Sequence, residues 1–228
     1  MRITLTDAGK RFNRDWIFRH LDHEFFPGHS YAITGSNGSG KSTLLQAIAG
    51  AIDLSEGGIG YETTTASAAT ALTVAGNTAL ASAPTAGARS LPPEQVYRHL
   101  SLAAPYLEVI EEMTVIEFLT FHQGFKPFLP DLSVKDIVRQ VGLEAAADKQ
   151  IRYYSSGMKQ RVRLAQALFS DTSLLLLDEP TTNLDADGIS LYRRLTQQYG
   201  SGRIVIVSSN DHQEYDFCEE IINIMEYK

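Results

Sequence analysis

Three short runs in this chain are apolar at almost every position: Tyr31-Ala32-Ile33-Thr34, "LLLLD" from Leu174 to Asp178, and "IVIVSS" from Ile204 to Ser209. Runs of this length without a polar face predict strands of a parallel sheet, covered on both sides. Arg2 to Phe26 instead alternates apolar and polar residues with short breaks, which predicts an antiparallel meander. Turn-rich "GAIDLSEGGIGYE" leaves room for a short strand around Ile59-Gly60-Tyr61, and "IINIMEY" is the last strand candidate. From Thr114 the period changes. Thr114 to Glu117 and Ser133 to Asp136 each carry a capping-box pattern, and Val134, Ile137, Val138 and Val141 form one helical stripe. "FKPFLPD" separates the two helices. The pattern predicts one α/β domain over residues 1–228. Residues 1–113 and 154–228 form a core of mostly parallel sheet with an antiparallel β lobe, and residues 114–153 form an inserted helical lobe.

One stretch fits neither period. Thr63 to Ala88 contains no charged residue, and its only large aliphatics are Leu72, Val74 and Leu80. That is too little apolar area to offset chain entropy, so a poorly ordered surface insertion is expected, with a lid as the functional alternative.

Charge and composition narrow the function classes. With 228 residues and 43% hydrophobic content the chain can bury a sizeable core. A net charge of −7 disfavours nucleic acid held by a general electrostatic field. Cys218 is the single cysteine, which excludes an internal disulfide and suits a reducing compartment. No apolar run approaches the roughly 18 residues of a membrane span, and the first residues lack the apolar segment of a signal peptide. The expected location is therefore cytoplasmic, with any membrane role supplied by a partner.

The candidate chemistry begins at "GSNGSGKST": Gly35, Ser36, Asn37, Gly38, Ser39, Gly40, Lys41, Ser42 and Thr43. It follows a strand, opens a helix and fits the phosphate-loop pattern G-x-x-x-x-G-K-[ST] of P-loop NTPases. Backbone N–H groups in a loop without side-chain bulk can turn inward onto phosphate oxygens, and the helix N-terminus adds roughly half a positive charge. Lys41 would neutralise the outer phosphates, and the Ser42 hydroxyl would hold Mg²⁺. The loop is expected to bind a nucleoside triphosphate. Asp178-Glu179 and Ser209-Asn210 end the other two apolar runs, so all three regions are expected at the carboxyl edge of one sheet.

"YSSGMKQRVRLAQALFSDTSLLLLDEPTTNLD", Tyr154 to Asp185, indicates which machine the loop serves. It resembles the ATP-binding cassette (ABC) ATPases, with a signature at Tyr154 to Met158, a Walker B strand at Leu174 to Asp178 and a D-loop at Asn183-Leu184-Asp185. On the residues alone, Ser155-Ser156-Gly157 is a helix N-terminus offering hydroxyls and N–H groups, and a satisfied N-cap is its simplest use. The resemblance implies more: two cassettes pair head to tail, and each signature closes on the ATP held by the other. It also implies that Asp178 binds Mg²⁺ directly or through water. Glu179 would then orient and deprotonate the attacking water. An aromatic residue upstream of the phosphate loop would stack on adenine; Phe12 stands at that place, with Trp16 as the alternative.

Two positions depart from the family pattern. The Q-loop glutamine falls at Pro105, which has no side-chain oxygen, with Tyr106 and Glu108 as nearby substitutes. The switch histidine is Asn210, which can donate a hydrogen bond to a γ-phosphate but carries no charge. His212, two residues on, reads as a solvated loop residue. Ser156 for glycine and Met158 for glutamine are milder changes in the signature. Losing one positioned donor at a developing anion costs about 10²–10³ in rate, so the expectation is a working but slow ATPase. The resemblance implies the nucleotide-binding subunit of an ABC transporter, using ATP and Mg²⁺. Its partners would be a second ABC subunit, as a homodimer, and a separate transmembrane permease docked on the helical lobe. Nucleic acid is not expected as a direct partner. The protein would then sit peripherally on the inner face of a membrane. Short chains of this kind are often grouped with the haem-exporter type, a label of similarity rather than of substrate. The alternative reading is a regulatory or assembly module that binds ATP and hydrolyses little or none of it.

Overall fold

A computed structural model describes residues 1–64 and 88–228. The three apolar runs become β3 (Ser30–Thr34), β7 (Leu174–Asp178) and β8 (Ile204–Ser208). They are central strands of a five-stranded sheet that also contains β6 (Leu100–Ala103) and β9 (Glu220–Asn223), in the order β6-β7-β8-β3-β9 with every pairing parallel. Alternation divides each strand between two cores. Leu175, Leu177, Val205 and Val207 face one side and pack with the helices, whereas Leu174, Leu176, Ile204 and Ile206 face the other side. All eight are buried, which is why these runs carry no polar face.

On that second side lies a four-stranded antiparallel sheet, in the order β2-β1-β4-β5, from β1 (Arg2–Phe12), β2 (Asp15–Phe25), β4 (Glu56–Thr64) and β5 (Ala88–Ser90). Its Ile3, Leu5, Phe18, Leu21 and Phe25 join Leu44, Leu45 and Ile48 of α1 (Lys41–Ile48) in one core. The β1–β2 hairpin turns at Asn13 with φ +56°, so Phe12 and Asp15 face each other across the tip.

The helical side carries α2 (Val115–Gln123) and α3 (Val134–Gln140), both with the capping boxes that their sequences signal. Thr114 Oγ1 accepts from the Glu117 N–H, and the Glu117 carboxylate accepts from the Thr114 N–H at 2.8 Å. Behind them run α4 (Ser156–Leu168) and α5 (Ala186–Tyr199), with Val162, Ala165 and Phe169 fully buried. A short α6 (His212–Tyr215) follows β8.

Several elements differ from the sequence expectation. The strand near Ile59 extends over nine residues, Glu56–Thr64, because its pairing with β1 overrides its glycines. "IINIMEY" divides: β9 stops at Asn223, whose side chain accepts from the Met225 N–H, and Ile224–Tyr227 is a 3₁₀ turn. β6 gave too short an apolar run to be anticipated and is recruited as an edge strand by β7. Of the expected insertion, Thr63, Thr64 and Ala88 lie in the paired strands β4 and β5. The rest, with its lid alternative, lies outside the described residues.

Candidate functional site

The carboxyl ends of β7, β8 and β3 lie side by side, since Asp178 is opposite Ser208 and Ser208 is opposite Ile33. Two loop bonds extend that register: the Glu179 N–H donates to Ser208 O at 2.9 Å, and the Ser209 N–H to Ile33 O at 3.1 Å. The phosphate loop, the Asp178-Glu179 pair and Asn210 are thereby brought to one edge.

Within the loop, Gly40 is the N-cap of α1 in left-handed geometry, with no side chain capping the helix. The N–H groups of that first turn have no side-chain acceptor and stand open to an anion. Gly40 is also where bulk is forbidden: φ is +106°, and a β-carbon would lie 2.2 Å from Ile17 Cγ2. Lys41 is buried and turns back on the loop, donating to Gly35 O at 2.9 Å and Ser36 O at 3.3 Å. A cleft of about 340 Å³ lies over this loop, and Phe12, Ile17 and Glu179 form its far walls. Phe12 is half exposed, with the Lys10 ammonium 5.1 Å from its ring centroid. Trp16, the alternative, is flanked by the guanidiniums of Arg11 and Arg19 at 5.5 and 4.5 Å and does not line the cleft.

Two polar atoms beside the cleft are buried without a hydrogen-bond partner: Ser39 Oγ and Asp178 Oδ1. Desolvating such groups costs about 1–3 kcal/mol each, and more when charged, unless a ligand satisfies them. A hydroxyl facing phosphate and a carboxylate facing a divalent cation fit that requirement. Glu179 adopts φ +41°, an uncommon conformation for a non-glycine residue and one that clusters at functional sites. The turn after it is held from below. Glu214, buried on α6, accepts from the Thr181 N–H at 2.7 Å and the Thr181 hydroxyl at 2.5 Å, and burial raises its pKa above the usual carboxylate value. Asn210 is exposed, and its Nδ2 donates to Asn37 Oδ1 at 3.1 Å.

The signature lies elsewhere. Ser155 caps α4, accepting from the Met158 N–H at 3.2 Å, and Asp185 caps α5, accepting from the Gly188 N–H at 2.8 Å. Ser155, Ser156 and Gly157 line a second cleft of about 400 Å³ together with Asn183 and Asp185. The two clefts share no residue. Gly157 packs on the D-loop backbone, and a β-carbon there would lie 2.9 Å from Asn183 O. His212 is exposed, as expected, but on the first turn of α6 rather than in a loop.

The sequence profile of the family described as ABC transporter matches residues 18–182. The chain belongs to this family. It is an ATP-binding, nucleotide-binding subunit of the ABC type, and a P-loop fold carries the site. It is 27% identical over 219 residues to the uncharacterized ABC transporter ATP-binding protein YybJ of Bacillus subtilis, covering 93% of this chain and 86% of that protein. It is 30% identical over 195 residues to the cytochrome c biogenesis ATP-binding export protein CcmA of Sodalis glossinidius, covering 85% and 82%. Among solved structures, a putative ABC transporter ATP-binding protein from Pyrococcus furiosus superposes with a TM-score of 0.78. It covers 100% of both chains at 19% identity, a likeness of fold. No described helix is long and apolar enough to cross a membrane.

Several residues at the ABC site were not legible in the sequence. Ile17 carried no motif, and its contact with Gly40 depends on the β lobe folding over the loop. Glu214 belongs to no motif, and only the fold brings it under Thr181.

Proposed function

We propose that this ABC subunit binds ATP in the Phe12–Lys41 cleft, hydrolyses it slowly, and powers a transporter by pairing head to tail with a second copy. The observation that carries this reading is the separation of the two clefts. One holds the uncapped helix N-terminus, Lys41 and Glu179; the other holds Ser155 to Gly157, and no residue lines both. A single chain does not bring its own signature to its own phosphate loop, and a head-to-tail pair would.

In this account Gly35 to Thr43 cradle the phosphates through backbone N–H groups, and Phe12 stacks on the base. Lys41 exchanges its two loop carbonyls for phosphate oxygens. Ser42 and Asp178 would hold Mg²⁺, whose charge supplies neutralisation of the β- and γ-phosphate oxygens. Glu179 takes the proton of the attacking water, and Asn210 donates a neutral hydrogen bond to the γ-phosphate. Ser155, Ser156 and Gly157 of one copy, with Asp185 beside them, complete the site of the other. Pairing follows ATP binding because the nucleotide contacts both copies only in the closed state. A separate transmembrane permease would dock on the helical lobe, where Phe121 and Phe125 are exposed and meet edge to face at 5.0 Å. The subunit would then sit peripherally on the inner face of a membrane.

A second reading, an ATP-gated regulatory or assembly module, is favoured by Asn210, whose amide is engaged with Asn37 and carries no charge. Glu179→Gln separates the two. Turnover should fall about 10²–10⁴-fold, the usual weight of a positioned base, while ATP binding is retained. Sedimentation should show pairs with ATP and single chains without it. Undiminished turnover in the variant contradicts the role given to Glu179; no turnover in the unaltered chain, with pairing intact, favours the second reading.

A further inference from the structure

A chain of three side-chain hydrogen bonds joins two turns that are far apart in sequence. It starts just after β6, where the Leu107 N–H donates to Ala104 O at 3.1 Å and closes a turn over Pro105, at the Q-loop position. Arg163, half-buried on α4, donates from Nε to Leu107 O at 2.6 Å. Its Nη1 donates to Gln160 Oε1 at 3.3 Å, three residues back on the same helix face. Gln160 is fully buried, and its Nε2 donates to Pro180 O at 2.8 Å. Pro180 directly follows Glu179 with its φ of +41°.

Chemistry fixes the direction of every bond in this chain. Leu107 O and Pro180 O only accept, and a guanidinium only donates. Gln160 stands between them with one amide oxygen and one amide nitrogen. Arg163 engages the oxygen, which leaves the nitrogen to face Pro180 O. Without the guanidinium, the amide could turn over and set its oxygen against that carbonyl. Lys159, four residues before Arg163, pairs with Glu111, so α4 is bound to the segment after β6 at a second point. The turn after Glu179 is held from two sides: Glu214 bonds Thr181 from α6, and Gln160 bonds Pro180 from α4.

We propose that Arg163 is a positioning residue for hydrolysis: through Gln160 it fixes the backbone that carries Glu179, and it ties that backbone to the Ala104–Leu107 turn. Arg163 touches neither nucleotide nor water in this account. It sets the orientation of the Gln160 amide, the amide holds Pro180 O, and the adjoining Glu179 keeps its left-handed conformation. A shift of the turn at Pro105 would reach Glu179 by the same route, although Pro105 itself has no side-chain oxygen or N–H to offer. The inference rests on the role of base given to Glu179.

The test measures phosphate release from Mg-ATP and the KM for ATP in Arg163→Met, in Gln160→Met, in the two together, and in each single change made on Glu179→Gln. Misplacing a reacting group by about 1 Å costs about 10²-fold in rate. With the Glu214 support still in place, each single change should lower kcat about tenfold and leave KM within about twofold. The two together should cost no more than either alone, because either one opens the whole chain. On Glu179→Gln neither change should lower the residual rate further, whereas a general loosening of the core would lower it in any background. Gln160→Met carries the test where Arg163→Met does not fold, since it cuts the same chain. Unchanged kcat in the single variants, or an equal fall with and without Glu179, would overturn the inference and leave the cleft reading intact. Undiminished turnover in Glu179→Gln itself would overturn both.

Discussion

Asn210 donates from its side-chain amide to Asn37 Oδ1 at 3.1 Å, so the end of β8 is tied directly to the phosphate loop. In the proposed site a charged residue at this position would approach a γ-phosphate as an ion, whereas Asn would approach it only as a dipole. A protonated histidine would add a charge–charge attraction that a neutral amide lacks. Asn210→His should therefore raise turnover, by up to about tenfold, and should introduce a pH dependence near the histidine value of about 6.5. Phosphate release measured from pH 5.5 to 8.5 checks both. Unchanged turnover with a flat profile would show that position 210 does not face the nucleotide.

Gly157 has no room for a side chain, because the Asn183 carbonyl would lie 2.9 Å from any β-carbon. Gly157→Ala must push the D-loop away from the start of α4. Overpacking of this kind costs about 1–3 kcal/mol. The expected outcome is a folded chain that binds ATP normally but no longer pairs when ATP is added, measured by sedimentation of the Glu179→Gln background.

Glu214 is the buried support of the turn after Glu179. Glu214→Ala leaves the Thr181 N–H and hydroxyl without their acceptor, a loss of about 1–3 kcal/mol. At about 2–4 °C per kcal/mol for a chain of this size, the melting temperature should fall by several degrees. Turnover should fall too, because the backbone of Glu179 loses its support, whereas Glu214→Gln keeps one acceptor and should recover much of both.

His122 lies on α2 with Nε2 3.0 Å from Ser170 Oγ, and burial, assisted by the Lys126 charge, lowers its pKa to about 4. The unfolded chain takes up a proton near pH 6.5, before the folded one does. Stability should therefore fall as pH drops from about 6.5 towards 4 and level off below that. Urea unfolding at pH 7 and pH 5 should show a smaller difference in His122→Gln than in the unaltered chain.

Much of the fold could be read from the sequence because both sheet faces are apolar. "LLLLD" and "IVIVSS" have to be central strands, and the capping boxes at Thr114 and Ser133 mark helix starts through local bonds alone. The phosphate loop was legible for the same reason: its constraint is the backbone geometry of neighbouring residues. What escaped depends on distant segments meeting. β6 is a strand because β7 pairs with it, and Glu214 matters because α6 folds under Thr181.

The central claim is that two copies build each hydrolytic site, and the rate of phosphate release against protein concentration tests it most directly. With saturating ATP and Mg²⁺, turnover should rise more steeply than linearly at low concentration and vanish in Lys41→Ala. Release strictly proportional to protein at every concentration, or equal in Lys41→Ala, would contradict a shared site in this cleft.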